Sequence, residues 1–308
     1  MKLSNNPSKS RNSIAVNEEK TCYIMLILPI VGFFLFTLYP ILWSGRISFF
    51  SYDGIKSHTS FVGIENYAKL ITDKYYWSSW TTNLKLFIFK MPVEALLAFI
   101  TANLLSNKTK LAGFYRSMYF MPAIISGAVI GLIFSNMFDY FGLINAILTK
   151  LGILKENINW FENEITSFLT IYITSFWASF GTNVLYFMAA LSTVPKEVLE
   201  GADIDGANSF VKMFKIKLPM IMPTLQVLLL LSFNGVLQLN DLVLLLTNGA
   251  PGGKTYTVAA YLTSKIVPGF GQTSDVGYAA AMSIATSLIF CAVALIFNKL
   301  TKKMESVY

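Results

Sequence analysis

The sequence predicts an all-α integral membrane protein with six transmembrane helices, and three observations carry that prediction. Only 13% of the 308 residues are charged against 54% hydrophobic, about half the charge of an ordinary soluble domain. Mean hydropathy is +0.55. The apolar residues are gathered into long runs: Thr21 to Gly45, Ser117 to Phe138, Ile165 to Pro195, Leu218 to Asn240 and Val276 to Asn298 carry no charge, and each supplies the roughly 20 residues that cross a hydrocarbon core. A sixth run, Leu84 to Ser106, is interrupted by Lys85, Lys90 and Glu94. The expected spans lie at about 22–44, 84–106, 116–138, 167–189, 218–246 and 276–298. Residues 22–308 then form a single membrane domain behind an N-terminal tail, 1–21.

Each span has its own signature. The first keeps its apolar core from Tyr23 to Trp43, too long for a signal h-region and followed by no small-residue cleavage site, so it stays as an anchor. The loop from Arg46 to Asn83 is rich in aromatics, among them Tyr67, Tyr75, Trp77 and Trp80, of the kind that sit at membrane interfaces. In the second span Lys90 and Glu94 are four apart and can neutralise one another on one helix face. Pro92 between them permits a bend. The expectation is a structural ion pair near the outer third of the bilayer.

Polar residues inside a span are costly and point to function. The fourth span carries Ser175, Ser179, Thr182 and Tyr186 as a stripe, with Trp177 and Asn183 nearby. In the fifth, Asn234, Gln238 and Asp241 follow at i, i+4 and i+7 and share a helical face, beside Asn240. Amides, hydroxyls and a carboxylate with aromatic cover suit a neutral polyhydroxyl ligand. The candidate solute path is therefore Asn234, Gln238, Asn240, Asp241, Trp177, Ser179, Asn183 and Tyr186. Gly277, Ala281 and Ala285 give the last span a small-residue stripe for close packing.

The net charge of +7 is spread by loop rather than gathered on a face, which argues against nucleic acid. Lys2, Lys9, Arg11 and Lys20 precede the first span; Lys108, Lys110 and Arg116 crowd the second loop; Lys196, Lys212, Lys215 and Lys217 occupy the fourth; Lys299, Lys302 and Lys303 follow the last. By the positive-inside rule both termini are cytoplasmic, as is the fourth loop.

That loop, 195–219, contains EGADIDGA at 200–207. Pro195 suits the first turn of a short helix, and Glu197 and Glu200 complement its dipole. Gly206 is free to adopt the positive φ that ends it, and a second helix begins near Asn208 or Ser209. Taken alone, the pattern also fits an interfacial connector with solvated carboxylates.

Other chemistry is not supported. Cys22 and Cys291 both lie in expected spans and suggest neither disulfide nor metal site. His58 is the one histidine, and no nucleophile stands with a base, so no catalytic residue is expected. Gly249 to Thr255, GAPGGKT, misses the phosphate-loop spacing because position 248 is Asn248. It also falls on the external side of the topology.

The fourth loop resembles a known one. Glu200-Gly201-Ala202, then Gly206, then Ile216-x-Leu218-Pro219, with Asp205-Gly206-Ala207, is similar to the EAA loop of ATP-binding-cassette importer permeases. Gly201 departs from the usual alanine and loosens the helix by roughly 1 kcal/mol. Leu28-Pro29, Tyr39-Pro40, FVGIENY at 61–67, Phe120-Met121-Pro122, Gly142-Leu143-Ile144-Asn145, LNDLVLLLTNGAP at 239–251 and Gly277-Tyr278-Ala279 resemble phrases of the maltose and glycerol-phosphate sugar permeases, in particular the maltose-type first permease subunit. Ala250 stands where that family usually has glycine.

The resemblance implies the type I importer permease fold in a bacterial-type cytoplasmic membrane. It implies ATPase coupling through Glu200, Gly201, Ala202, Asp205, Gly206, Ala207, Ile216, Leu218 and Pro219. The implied partners are a second homologous permease, two copies of an ATPase subunit that bind the ATP and magnesium, and an external solute-binding protein, all in membrane lipid. The chain itself then holds no cofactor. Two contrasting readings are a gradient-driven transporter using Lys90, Glu94 and Asp241 as a proton relay, and a scaffold that moves nothing.

Overall fold

The computed structural model describes residues 21, 23–106, 112–267 and 273–305. The lysines and arginine of the tail, Lys108 and Lys110 of the second loop, and Cys22 lie outside the described residues.

Helix α1, Tyr23–Ile47, is apolar on all sides, and none of its most apolar window is buried in the chain. A turn of π-helix, Phe34–Leu38, precedes the segment that begins Tyr39-Pro40. It leans on the last helix. A two-stranded hairpin follows, β1 Phe50–Ser51 paired antiparallel with β2 Ser60–Phe61, and then α2, Glu65–Thr72. Asn66 of the FVGIENY phrase donates to the carbonyls of Ser48 and Phe50 at 2.9 and 3.0 Å. That side chain ties α2 to the end of α1.

Helices α3, Lys74–Ser106, and α7, Glu164–Leu191, are the long axis of the fold and pack along one another. Between them run α4, Ala112–Ile124, α5, Gly127–Met137, and α6, Leu143–Lys150. The chain bends by 92° between α4 and α5, where Ser126 caps α5 by accepting from Val129 N–H. The expected third span, 116–138, is therefore two helices at a right angle. Close crossing is enforced by Gly181 of α7, where a Cβ would overlap the carbonyl of Tyr119.

After α7 come α8, Lys196–Ile204, and α9, Ser209–Met220. A 73° bend leads into α10, Met222–Leu237. Helix α10 stops short of the expected fifth span's end, the chain turns at Gln238–Asn240, and α11, Asp241–Leu246, continues it. α12, Val258–Ile266, and α13, Val276–Glu305, complete the chain. On length and composition α1 and Val276–Phe297 of α13 are membrane spans, and each bent pair makes a further span if it crosses as one unit.

The apolar interior falls into three clusters. One joins Ala98, Phe99 and Ala102 of α3 to Val184 and Phe187 of α7 and to Ile221 and Leu228. The second joins Leu86, Ile130, Ile171, Val236 and Leu242. The third, around Tyr76, Tyr261, Tyr278 and Met282, ties α3, α12 and α13 together. Two buried asparagines fasten loops that packing alone would leave loose. Asn83 donates to Val236 O at 2.7 Å and accepts from Val258 N–H at 2.9 Å. Asn145, fully buried, donates to Tyr140 O and Ile158 O and accepts from Trp160 Nε1.

Candidate functional site: a polar cavity and an acidic loop

Along α3 and α7 the first two apolar clusters are separated by polar residues, and there a cavity of about 870 Å³ opens. That volume lies within the roughly 300–1,000 Å³ typical of small-molecule sites. Helix α7 supplies Ser175, Ser179, Thr182, Asn183 and Tyr186, one face of a single helix. Asn234, Gln238, Asn240 and Asp241 come from the end of α10 and the break before α11. The break matters: it turns Asn240 and Asp241 onto the same wall as Asn234. Gln238 Nε2 donates to Asn234 Oδ1 at 3.2 Å, and Asn240 Nδ2 donates to Asp241 Oδ1 at 3.1 Å. Asn240 Oδ1 is buried and accepts no hydrogen bond among the described residues. A buried acceptor left unpaired costs about 1–3 kcal/mol, so this oxygen is ready for a donor.

Of the residues expected to line a solute path, Trp177 alone is absent from this wall; its ring packs on Phe134 at 5.4 Å between centroids. Two residues read from the sequence as a structural pair are present. Lys90 and Glu94 face the cavity from α3, 3.3 Å apart, and α3 passes through Pro92 without a break. The signal in the sequence was an ion pair in an otherwise apolar span. What the sequence concealed was that Ser175, Ser179 and Asn183 of α7 face it.

The acidic loop is built locally. Pro195 is the N-cap of α8 rather than its first residue, with extended ψ of 137°. At the other end Gly206 takes φ of 75°. Its N–H donates to Asp203 O at 3.2 Å while Ala207 N–H donates to Ala202 O at 2.9 Å. That is the double closure of a Schellman turn. Asn208 then caps α9 by accepting from Val211 N–H at 2.9 Å.

Leu199, Met213 and Phe214 pack inward against the first cluster, whereas Ile204 and Phe210 are 88% and 68% exposed. Glu200 and Asp205 are exposed, Gly201 and Ala207 are half-buried, and Ala202 is buried. Ile216 and Leu218 are half-buried and Pro219 is exposed at the end of α9. Lys212 pairs with Asp203 at 2.5 Å. Lys217 donates to Asn103 Oδ1 at 2.6 Å, joining the loop to the end of α3.

The GAPGGKT segment is a turn after α11. Its Lys254 lies 3.7 Å from Glu164, and its Thr255 hydroxyl donates to the carbonyl of Ala250. Its backbone is occupied in closing the turn, and its lysine faces a carboxylate. Among the described residues no group of three or more His, Cys, Asp or Glu is placed to hold a metal.

Long apolar helices around a polar cavity, with a protruding loop of exposed apolar and acidic side chains, define a membrane transport subunit. Residues 95–306 match the family model described as "Binding-protein-dependent transport system inner membrane component", and the chain belongs to that family. It is 35% identical over 278 residues to the arabinooligosaccharides transport system permease protein AraP of Bacillus subtilis, covering 88% of this chain and 85% of the relative. It is 29% identical over 282 residues to the lactose transport system permease protein LacF of Rhizobium radiobacter, covering 90% and 94%. Among solved structures it resembles a bacterial ABC transporter that imports the acidic polysaccharide alginate, with TM-score 0.77, 18% identity, and 95% and 99% of the two chains covered. The chain is thus a permease component of an ABC importer and not an enzyme. Family membership replaces the gradient-driven and scaffold readings.

Proposed function

We propose that this permease moves a sugar or oligosaccharide across the cytoplasmic membrane through the cavity between α3, α7 and α10. The observation that carries the reading is the wall itself, where Asn234, Gln238, Asn240 and Asp241 meet Ser179, Asn183 and Tyr186. Such a set both donates to and accepts from hydroxyls. Relatives named for arabinooligosaccharide and lactose transport support a carbohydrate.

The proposed topology has six spans and cytoplasmic termini, with residues 22–308 as one membrane domain behind the tail 1–21. Helices α3 and α7, at 33 and 28 residues, are long enough to cross, which together with α1, α13, the bent pair α4–α5 and α10 continued by α11 supports six. A loaded solute-binding protein docks outside, a second homologous permease completes the path, and two ATPase subunits, which bind ATP and magnesium, seat against residues 195–219. A similar fold has been solved with an alginate pentasaccharide-bound periplasmic protein, which supports the first of these partners. Exposed Ile204 and Phe210 beside Glu200 and Asp205 supply an apolar tip with acidic rims, suited to a groove with basic edges. Alternating access then follows from the loop being pushed as the ATPases close.

The test is transport by the purified complex in proteoliposomes, which requires ATP and the binding protein and is indifferent to a pH gradient. Glu200→Lys abolishes solute-stimulated ATP hydrolysis while the chain still inserts into the membrane. Wild-type stimulation in that variant refutes the coupling role.

A further inference from the structure

The Lys90–Glu94 pair has more contacts than self-neutralisation requires. Both side chains are buried, 6% and 2% exposed, yet both line the cavity. Lys90 Nζ donates to Ser179 Oγ at 2.8 Å and lies 3.3 Å from Glu94 Oε2. Glu94 Oε1 lies 2.5 Å from Ser179 Oγ, which reaches the carbonyl of Ser175 at 2.8 Å as its other acceptor. An ammonium has three donors and a carboxylate about four acceptor sites, so these contacts leave capacity on both groups at the wall.

A sugar hydroxyl both accepts and donates. One hydroxyl placed here accepts from Lys90 and donates to Glu94, and each bond is charge-assisted, about twice as strong as a neutral one. A carboxylate can only accept, so it meets Lys90 with Glu94 alongside. The rest of the wall adds to the discrimination. Its charged residues are Lys90, Glu94 and Asp241, one positive and two negative, so an anion entering the cavity meets net repulsion at short range. The alginate importer of similar fold carries an acidic polysaccharide; the fold therefore leaves solute charge open and the wall residues decide it.

We propose that Lys90, Glu94 and Ser179 form a specificity-determining hydroxyl clamp, and that this subunit's cavity accepts uncharged sugars and rejects sugar acids. The proposal rests on the cavity being the solute path. Its test is equilibrium dialysis of labelled arabinotriose, lactose, maltotriose and trigalacturonate against the detergent-purified complex of the permease with its partner permease and ATPases. The binding protein is omitted so that the cavity alone selects.

At least one neutral probe binds the wild type tenfold or more tighter than trigalacturonate. The double variant Lys90→Met with Glu94→Gln keeps the volume and net charge of the pair, so it assembles, as read by co-purification of the ATPase. Its Kd for that neutral probe rises at least tenfold. Glu94→Gln with Asp241→Asn leaves the wall net positive and narrows the neutral-to-acid ratio at least fivefold. A wild type that binds no neutral probe more tightly than trigalacturonate overturns the proposal, as does an assembled Lys90→Met, Glu94→Gln complex with unchanged Kd. Asn234→Ala with Gln238→Ala separates the levels: loss of binding there with an unchanged Lys90, Glu94 variant removes the clamp alone, whereas no effect in either variant removes the cavity as the path.

Discussion

The acidic loop and the polar cavity are assembled in opposite ways. In the loop the caps and the turn lie within a few residues of what they control: Pro195 and Asn208 cap, and Gly206 turns. In the cavity Glu94 meets Ser179 across 85 residues of sequence, and Lys90 meets the same hydroxyl across 89. A locally specified element survives loss of distant contacts. A wall gathered from several helices exists only if the helices cross correctly. The comparison predicts that substitutions at crossings and hubs act on the whole fold, whereas substitutions in the loop act on one turn.

The largest effect is expected at Gly181. A valine there puts a side chain into the Tyr119 carbonyl, backbone that cannot yield, and the α4–α7 crossing is lost. Detergent-stable complex should not be recovered, and recovery at wild-type yield would break the comparison. Asn145→Ala comes next, since it removes the side-chain partner of the Ile158 carbonyl and of the Ile158 and Trp160 N–H groups, while Asn157 still donates to Tyr140 O. At about 1–3 kcal/mol for a buried group left unpaired, thermal unfolding should move down by several degrees. An unshifted melt would show that the loop after α5 is held by packing instead.

Asp73 ranks third. Burial raises its pKa, but hydrogen bonds from Tyr278, Tyr261 and the N–H groups of Tyr76 and Tyr75 outweigh that and hold it below the ordinary carboxylate value. Burial and the Asp73 carboxylate push the Tyr261 hydroxyl upward, so it stays a donor. Because the folded pKa lies below the unfolded one, the unfolded chain binds more protons in acid. The stabilisation is full above about pH 4 and is lost as pH falls through the folded pKa. Asp73→Asn should therefore lower the melting temperature at pH 7, with the gap from wild type closing in acid; a gap independent of pH would sharpen the case for packing over charge. The smallest effect belongs to Gly206→Ala. A positive φ costs a non-glycine residue roughly 1–2 kcal/mol, so the melt should fall by no more than a few degrees while solute-stimulated ATP hydrolysis falls severalfold. A global loss of stability there would contradict the loop's local character.

The same division governs what could be read without coordinates. Helix class, apolar runs, the Gly206 turn and the helix start at Asn208 follow from composition and neighbours, and α8 to α9 were legible almost to the residue. The face holding Asn234, Gln238 and Asp241 was legible too, although by a helix that in fact breaks between the last two. The 92° bend between α4 and α5 was not: Pro122 stays inside α4 and Ser126-Gly127 sits within an uninterrupted apolar run, so neither announces an angle, and the cap at Ser126 marks it. Lys90 and Glu94 were visible as a pair, but their place in the wall depends on Ser179 facing them from another helix, a long-range fact absent from any window of sequence.

The 73° elbow at Ile221 has a mechanical consequence. Helices α9 and α10 are two arms of a bell crank, roughly 18 and 24 Å long at 1.5 Å per residue, and the pivot, 1% exposed, is clamped inside the first apolar cluster. A sideways shove of a few ångströms on Phe210 becomes a swing of comparable size at Asn234 and Gln238. On the proposed coupling, the stroke of an external engine would reach the polar cavity by rotation about one isoleucine, with no need to slide a helix along its neighbours.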